Sequence, residues 1–381
     1  MVDFSLSEEQ QLLKDSVERF VRNDYGFDTR RALAEGDLGH GPDNWATFAE
    51  LGWLAVPFAE SSGGLGGGSV ECMILMEAFG RGLVVEPYLH SVIVAGGLIE
   101  AAAEDSRRRD LLSGLIAGER ILAFAHVEPQ ARFTLHDVAT TAVADGDGWR
   151  LAGHKAVVFH GAAADRFVVS ARTAGDSRDR SGISLFLVDR DTPGLAIRAY
   201  RTVDGLRAAE VTLDEVTLGS DALIGAPGVA IDAIEPVIDR ATAAVSAEAV
   251  GIMDALYAQT LDYLKTRQQF GVPIGKFQAL QHRAVDMFMA CEETRSMVYM
   301  ATLKLDAPAV ERARAVSAAK VQVGQAGRLV GQEAVQLHGG MGVTDELIVG
   351  HYFKRLTMID TLFGNADHHL RRFAENDSAN G

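Results

Sequence analysis

Cysteine is nearly absent from this 381-residue chain, with only Cys72 and Cys291 present. Each lies in an apolar stretch that reads as helix, SVECMILMEAF and VDMFMACEETR. Both are therefore expected to be buried packing residues rather than a disulfide, metal ligands or a nucleophile. Such sparing use fits a reducing compartment, and the expected location is the cytoplasm. Long apolar runs are missing too: no uninterrupted stretch approaches the roughly 20 residues of a membrane-spanning helix. The opening MVDFSLSEEQQLL places acids where a signal peptide needs cations. Cations are outnumbered overall, 36 Lys and Arg against 52 Asp and Glu, giving a formal charge of −16. That balance argues against a nucleic-acid or anionic-membrane surface, since either needs a basic face to neutralise phosphates. It leaves a protein partner or a small ligand, and local cations or helix N-termini would still let an acidic protein hold an anion.

What is present divides the chain into three stretches. From Ser5, SLSEEQQLLKDSVERFVRN offers a serine N-cap with a glutamate three residues on. Leu12, Leu13, Val17, Phe20 and Val21 follow at helical spacing. A second helix is expected over NWATFAELGWLAV, then a turn-rich SSGGLGGGS, then a helical VECMILMEAFGRGL. With no preceding strand and no following GK[ST], those glycines predict a mobile connection rather than a phosphate loop. Helical patterning continues through VIVAGGLIEAAAE and RRRDLLSGLIAGE to about residue 119. Between about 120 and 218 the period becomes strand-like: ILAFAHV, TTAVADG, WRLAGHKAVVFH, RFVVSART, ISLFLVD, LAIRAY and AEVTLDEVTL are short, rich in β-branched residues and punctuated by turn formers. A small antiparallel β-domain is predicted there. After LIGAPG helical spacing returns, broken at FGVPIG and LHGGMG, and the final ENDSANG is expected to be disordered. The class is α+β, with a β-domain inserted between two helical ones.

Several segments in this order resemble the acyl-CoA dehydrogenase family over essentially the whole chain. The most specific are RQQFGVPIGKFQALQHRAVDM at 267–287 and QLHGGMG at 336–342. Supporting matches are LSEEQ, ELGWLAV followed by GGLGGG, the pair Glu128 and Pro129 ending a strand, and LIGAPG. The resemblance implies an N-terminal helical domain (1–119), a middle antiparallel β-barrel domain (120–230) and a C-terminal four-helix bundle (231–381). It implies FAD as cofactor, an acyl-CoA thioester as substrate and an electron-transfer flavoprotein as oxidant. Arg267 would offer its guanidinium fork to a pyrophosphate, and Phe270, three residues on at the helix end, a platform for a nucleotide ring. Gln278 and Gln336 would donate to ribose, phosphate or adenine. Gly339 and Gly340 would let backbone amides approach without a side chain in the way. In this family such residues complete a flavin site held mainly by the neighbouring subunit.

The same resemblance exposes losses. The family's catalytic glutamate ends a tyrosine-glutamate-glycine-threonine motif, and the aligned residue here, within MIDTLFGNADHHL, is Gly364. Some members carry it instead on the first helix of the C-terminal domain, where this chain has Ala241. Neither accepts a proton, although a raised-pKa carboxylate is what α-proton abstraction needs. After Glu128 and Pro129 the family continues alanine-glycine-serine-aspartate, whereas Gln130, Ala131, Arg132 and Phe133 follow here. Its tryptophan-isoleucine-threonine at the flavin ring is replaced by Val157, Val158 and Phe159.

The chain therefore resembles the small subunit of pimeloyl-CoA-dehydrogenase-like heteromeric enzymes, whose FGNADHHL-like ending it shares. A homologous dehydrogenase subunit is the expected partner, in a heterotetramer, with a homotetramer as the other possibility. One alternative is a homomeric enzyme with a relocated base: Asp360, Asp367, His368 and His369 surround the lost motif, and Asp367 would share the helix face of Gly364. Base-free elimination from an acyl-CoA is another, and a non-catalytic structural subunit a third. The alanine-rich RARAVSAAKVQVGQAGRLVGQEAVQ is a plausible subunit interface in each. No metal site is expected, because the two histidines lack further ligands at suitable spacing.

Overall fold

In a computed structural model, described for residues 5–378, the helices come first. They are α1 (Glu8–Asp24), α2 (Phe27–Glu35), α3 (Pro42–Glu50) and α4 (Ser69–Gly82), then a buried π-helix over Tyr88–Gly96, α5 (Gly97–Ala102) and α6 (Asp105–Ile116). Eight strands follow: β1 (Leu122–Ala125), β2 (Thr141–Asp145), β3 (Gly148–Phe159), β4 (Arg166–Arg172), β5 (Ile183–Asp189), β6 (Leu195–Arg201), β7 (Arg207–Leu218) and β8 (Leu223–Ile224). The long α7 (Ile231–Thr266) leads into a hairpin of β9 (Gln268–Gln269) and β10 (Val272–Pro273). After it come α8 (Gln278–Leu303), α9 (Ala309–His338), α10 (Ile348–Thr361) and α11 (Ala366–Ser378). Helices α7–α10 supply the expected four, and α11 adds a fifth that also carries the residues expected to be disordered, as far as Ser378. Ala379–Gly381, like Met1–Phe4 at the start of the opening read for a signal peptide, lie outside the described residues.

The chain packs as two compact units. One comprises the residues up to Arg31, Ser69–Val84 and everything from Thr242 onward. Here α1 is capped by Ser7, not Ser5: its hydroxyl accepts from the Gln10 amide while the Gln10 side chain accepts from the Ser7 amide. This reciprocal cap leaves Val17 and Phe20 on the buried face and Leu12 in solvent. Helices α4 and α7 cross with their backbones in contact, since a β-carbon on Gly80 would strike the Glu248 carbonyl and one on Gly251 the Glu77 carbonyl. Four charges sit at that crossing. Arg81 pairs with Glu77 (2.6 Å), Asp254 (3.2 Å) and also Glu18 (2.7 Å), while Arg295 from α8 reaches Asp254 (2.6 Å) and Glu77 (3.1 Å). Beneath them, buried Arg355 of α10 grips Glu248 with two bonds of 2.6 and 2.8 Å.

The small residues of α9 are spent within this unit. Gly327 and Gly331 face Leu356 and Phe353 of α10, so the alanine- and glycine-rich face packs inward rather than serving as an outer interface. Helix α8 carries exposed apolar side chains, Val285, Phe288 and Met289 among them. Cys291 is buried on the same helix, and burial pushes its thiol up to about 12; Cys72 is only half-buried, against expectation.

The other unit, Ala32–Gly68 and Val85–Ala241, holds the sheet. Its strand order is β6-β7-β3-β2-β4-β5-β8, with β1 on β4. Pairing is antiparallel along most of this path, but β1 pairs parallel to β4, from Leu122 with Arg166 to Ala125 with Val169, and β2 touches β4 in the same sense. The glycine-rich stretch is no loose connection. Amides of Gly63, Gly64, Leu65 and Gly66 bond to the carbonyls of Glu60, Ala59, Ala55 and Phe58, and a β-carbon on Gly64 would collide with the Phe58 carbonyl. Among the described residues no helix is long and apolar enough to cross a membrane.

Because both glycines at the α4–α7 crossing meet backbone rather than a yielding side chain, Gly251→Ala should destabilise the protein by about 3 kcal/mol or more. Thermal unfolding would register a clearly lower midpoint, and an unchanged one would refute the backbone contact.

Candidate active site

The place expected to correspond to the family's glutamate is a turn between α10 and α11. Phe363 and Gly364 both take left-handed backbone, φ 57° and 116°. Fully buried Lys320 of α9 donates to the carbonyls of Asp360 (2.9 Å) and Gly364 (2.7 Å) and so fixes the turn. Burial pushes its ammonium down to about 7, against the pull of Asp360. A β-carbon on Gly364 would lie 2.5 Å from His368 Cδ2 and 2.8 Å from His369 Nε2, so the space beside it is already filled by the two imidazoles. His369 Nε2 faces the Phe363 carbonyl (3.1 Å) and Nδ1 the Ser317 hydroxyl (3.2 Å), an arrangement that places the proton on Nε2. Burial drives both rings down, His368 to about 4 and His369 to about 2, so both are neutral.

The relocated-base candidates fare differently from expectation. Gly364 precedes α11 instead of lying on it, so Asp367 does not share a helical face with it; it stands exposed in the first turn. Asp360 accepts the Ala366 amide (3.2 Å) at the start of α11. Ala241 is fully buried on α7. Among the described residues no group of three or more metal-ligating side chains occurs.

The six residues matched to the family's nucleotide contacts all lie in the helical unit, and all are exposed. Phe270 is not on a helix end: α7 stops at Thr266, and Phe270 with Gly271 forms the tip of the β9–β10 hairpin. Both take left-handed φ, 55° and 79°, the geometry of a two-residue hairpin turn that favours Asn-Gly over a bulky ring. The ring is nevertheless 92% exposed, touching Phe277 edge-on at 6.1 Å. The Arg267 side chain makes no hydrogen bond or ion pair among the described residues. Gly339 (φ 61°) and Gly340 have nothing within 4 Å of where a β-carbon would be. Two residues the sequence reading missed bring these segments together. Tyr263, one turn before Arg267, stacks at 4.5 Å on His338, just before Gly339, so the end of α7 is tied to the end of α9.

In the sheet unit, Glu128 is the organising residue. Its buried carboxylate accepts from Lys155 Nζ (2.7 Å), Thr140 Oγ1 (2.7 Å), the Thr140 and Ala139 amides (3.1 and 2.8 Å) and Gln130 Nε2 (2.8 Å). Burial alone would raise this group, but Lys155 and the hydrogen bonds outweigh it and hold it at about 2. Lys155, wholly buried on β3, is itself pushed down to about 8 by burial despite Glu128. It also donates to Ser170 (3.2 Å), which bonds His126 Nδ1 (2.8 Å). A lysine inside the apolar strand GHKAVVF was the available signal for this partner. Glu128 thus pins both ends of the 129–139 loop. Within it Arg132 takes φ 48°, a left-handed conformation that favours glycine. Val158 is buried, and Phe159 stacks on His90 at 4.6 Å and 11°.

Comparison with known proteins identifies the family. Residues 7–119, 123–216 and 231–376 match the N-terminal, middle and C-terminal domains of acyl-CoA dehydrogenase. The chain belongs to the acyl-CoA dehydrogenase family. Its members are oxidoreductases acting on CH–CH groups. FadE12 of Mycobacterium tuberculosis is 31% identical over 352 residues, covering 90% of this chain and 89% of that protein. Among solved structures, the ChsE4–ChsE5 complex of the same organism superposes with a TM-score of 0.89 at 27% identity, over 99% of both chains. The FAD complex of PigA gives 0.91 at 25% identity, over the whole of both.

For an acyl-CoA dehydrogenase chain, two outcomes follow. Gly364→Glu should not create activity: φ 116° and the two imidazoles oppose any side chain, so the variant should lose thermal stability and gain no turnover with acyl-CoA thioesters. Glu128→Gln should cost about 3–5 kcal/mol near neutral pH by stranding the Lys155 charge. With the Glu128 carboxyl lowered from 4.5 to about 2, its stabilisation is complete above about pH 4.5 and fades as pH falls towards 2. The gap between variant and parent should therefore narrow through that window in acid-unfolding curves, and a constant gap would contradict the pairing.

Proposed function

We propose that this chain is one subunit of a heteromeric, FAD-dependent acyl-CoA dehydrogenase, with domains at 1–119, 120–230 and 231–381, and that it completes a flavin site whose base belongs to a homologous partner. The observation that carries this reading is the hairpin tip: a phenylalanine 92% exposed on left-handed backbone is an arrangement a chain keeps only for something that covers it. The apolar α8 face, with Val285, Phe288 and Met289 in solvent, supports cover by another subunit. ChsE4–ChsE5, a complex of two unlike chains by its name, offers the precedent.

The residues present fit the adenosine-diphosphate end of FAD. Arg267 would hold the pyrophosphate with its unengaged guanidinium, Phe270 would cover a ring, Gln278 and Gln336 would donate to polar edges, and Gly339 and Gly340 leave an unobstructed backbone. The base position does not fit catalysis, because Gly364 lacks a side chain and room for one. When bound, FAD would supply the hydride acceptor for the β carbon of an acyl thioester, and an electron-transfer flavoprotein would reoxidise it. The α proton must then leave to a residue of the partner, and this chain's part is to bind and orient.

Co-expression with a neighbouring dehydrogenase-like reading frame should give a stable complex that carries flavin and turns over acyl-CoA, whereas the chain alone should retain little flavin. A fully flavin-loaded, active homomer would sink the proposal. In the complex, Arg267→Gln should weaken flavin retention by about tenfold. Phe270→Asn should do the same while raising the thermal midpoint, because asparagine suits the turn that phenylalanine strains.

A further inference from the structure

The linker from Gly339 to Leu347 joins α9 to α10 and is held in two different ways. Its first half is held by shape: a β-carbon on buried Gly342 would come within 2.6 Å of the Val335 carbonyl and 3.1 Å of His338 Cβ, so this backbone lies directly on the last turn of α9. Its second half is held by a side chain that titrates. His351, buried in the first turn of α10, faces the Asp345 carbonyl with Nε2 (3.0 Å) and Arg30 Nη1 of α2 with Nδ1 (3.1 Å). A carbonyl only accepts and a guanidinium only donates, so the ring carries its proton on Nε2 and accepts at Nδ1. The neutral ring satisfies both neighbours. With a second proton, Nδ1 would turn a donor and a positive charge towards the buried guanidinium of Arg30.

Three charged groups surround the ring. They are Arg30 from α2, Asp345 from the linker, whose carboxylate lies 3.4 Å from Nε2, and Lys354 from α10, which lies 3.4 Å from the same carboxylate. Phe27 of α2 packs edge-on against the imidazole at 4.9 Å. Burial first, then Arg30 and Lys354, lower the ring's pKa below its ordinary 6.5, against the pull of the Asp345 carbonyl and carboxylate. Because the folded-state value is depressed, the stabilisation from His351 is complete above about pH 6.5 and is lost as the pH falls below it.

We propose that His351 is a positioning residue: as a neutral ring it latches the Gly339–Leu347 linker to α2 and α10, and its protonation in acid releases the linker and weakens the hold of Gly339 and Gly340 on flavin. The coupling to flavin rests on the function proposed above, whereas the latch stands on the contacts of His351 itself.

Hydrogen exchange of the full chain, followed by mass spectrometry between about pH 7.5 and about pH 5 and corrected for intrinsic rates, tests the latch. Flavin released from the co-expressed assembly over the same range tests the coupling. In the parent, peptides covering residues 27–35 and 339–352 should exchange about tenfold faster at the acid end, since one unit of lowered pKa is a tenfold change in the latch equilibrium. His351→Gln offers the same acceptor and donor but takes no proton, so it should stay protected and keep its flavin throughout. His351→Phe lacks both bonds and should exchange fast and lose flavin even at neutral pH. His338, at the other end of the linker, is also lowered by burial and is left in place by both variants. An acid response that survives in His351→Gln therefore overturns the latch and leaves the heteromer reading standing. Exchange that responds to acid while the parent's flavin retention does not overturns the coupling. An assembly that holds no flavin at any pH overturns the heteromer reading, and the exchange data still decide the latch.

Discussion

The helical unit depends on the contact between α4 and α7. With Gly80 and Gly251 removing the side chains between them, the two backbones touch, and every neighbouring residue is drawn close as a result. Glu77 lies three residues before Gly80, and Asp254 three after Gly251, so the same helical turns that make the contact also bring two carboxylates together. Their repulsion would open the crossing. Arg81 and Arg295 each bridge both acids, which turns two partly buried anions into a neutral network tying α8 to the pair. A network of this kind tolerates desolvation that an isolated surface pair would not reward. The crossing holds α7 in place, and the Tyr263–His338 stack near its far end then aligns the hairpin with the glycines after α9.

That framework explains a contrast between two glycine sites. At Gly339 and Gly340 the backbone is bare and open, so a ligand can approach its amides. At Gly364 the backbone is bare and closed: Lys320 holds the carbonyl, and His368 and His369 fill the side-chain volume. The residue is glycine in each case, but only the first kind of site can receive a ligand. A missing side chain therefore does not by itself mark a binding cradle; what occupies the vacated volume decides.

Much of this was legible in one dimension, for identifiable reasons. Helices and strands announced themselves because a packed face repeats along the chain, and the motifs at 267–287 and 336–342 carried the family resemblance. Features set by distant pairs were not legible. The parallel partnership of β1 with β4 joins residues about forty positions apart through backbone bonds that leave no residue-type signature. The lysine inside the apolar strand was a signal that named no partner, because Glu128, which meets Lys155 in the core, lies on another segment. Phe270 read as a helix end because the turn it occupies lacks the Asn-Gly signal, and that absence is where local preference gave way to what the tip must contact.

Among the described residues, six non-glycine positions take left-handed backbone: Leu83, Arg132, His160, Glu215, Phe270 and Phe363. Four of them lie in or beside the segments where the family's flavin and base contacts were sought: Arg132 in the loop after Glu128, His160 after Phe159, Phe270 at the hairpin tip and Phe363 before Gly364. Strain of this kind opposes folding by about 1–3 kcal/mol at each position and persists only where surrounding structure imposes it. A subunit retained as a mere scaffold would have no such need, since ordinary substitutions at exposed Arg132 or Phe270 would relieve the strain without disturbing a core. Its concentration at these loops fits the proposal that they meet a ligand or a partner's site.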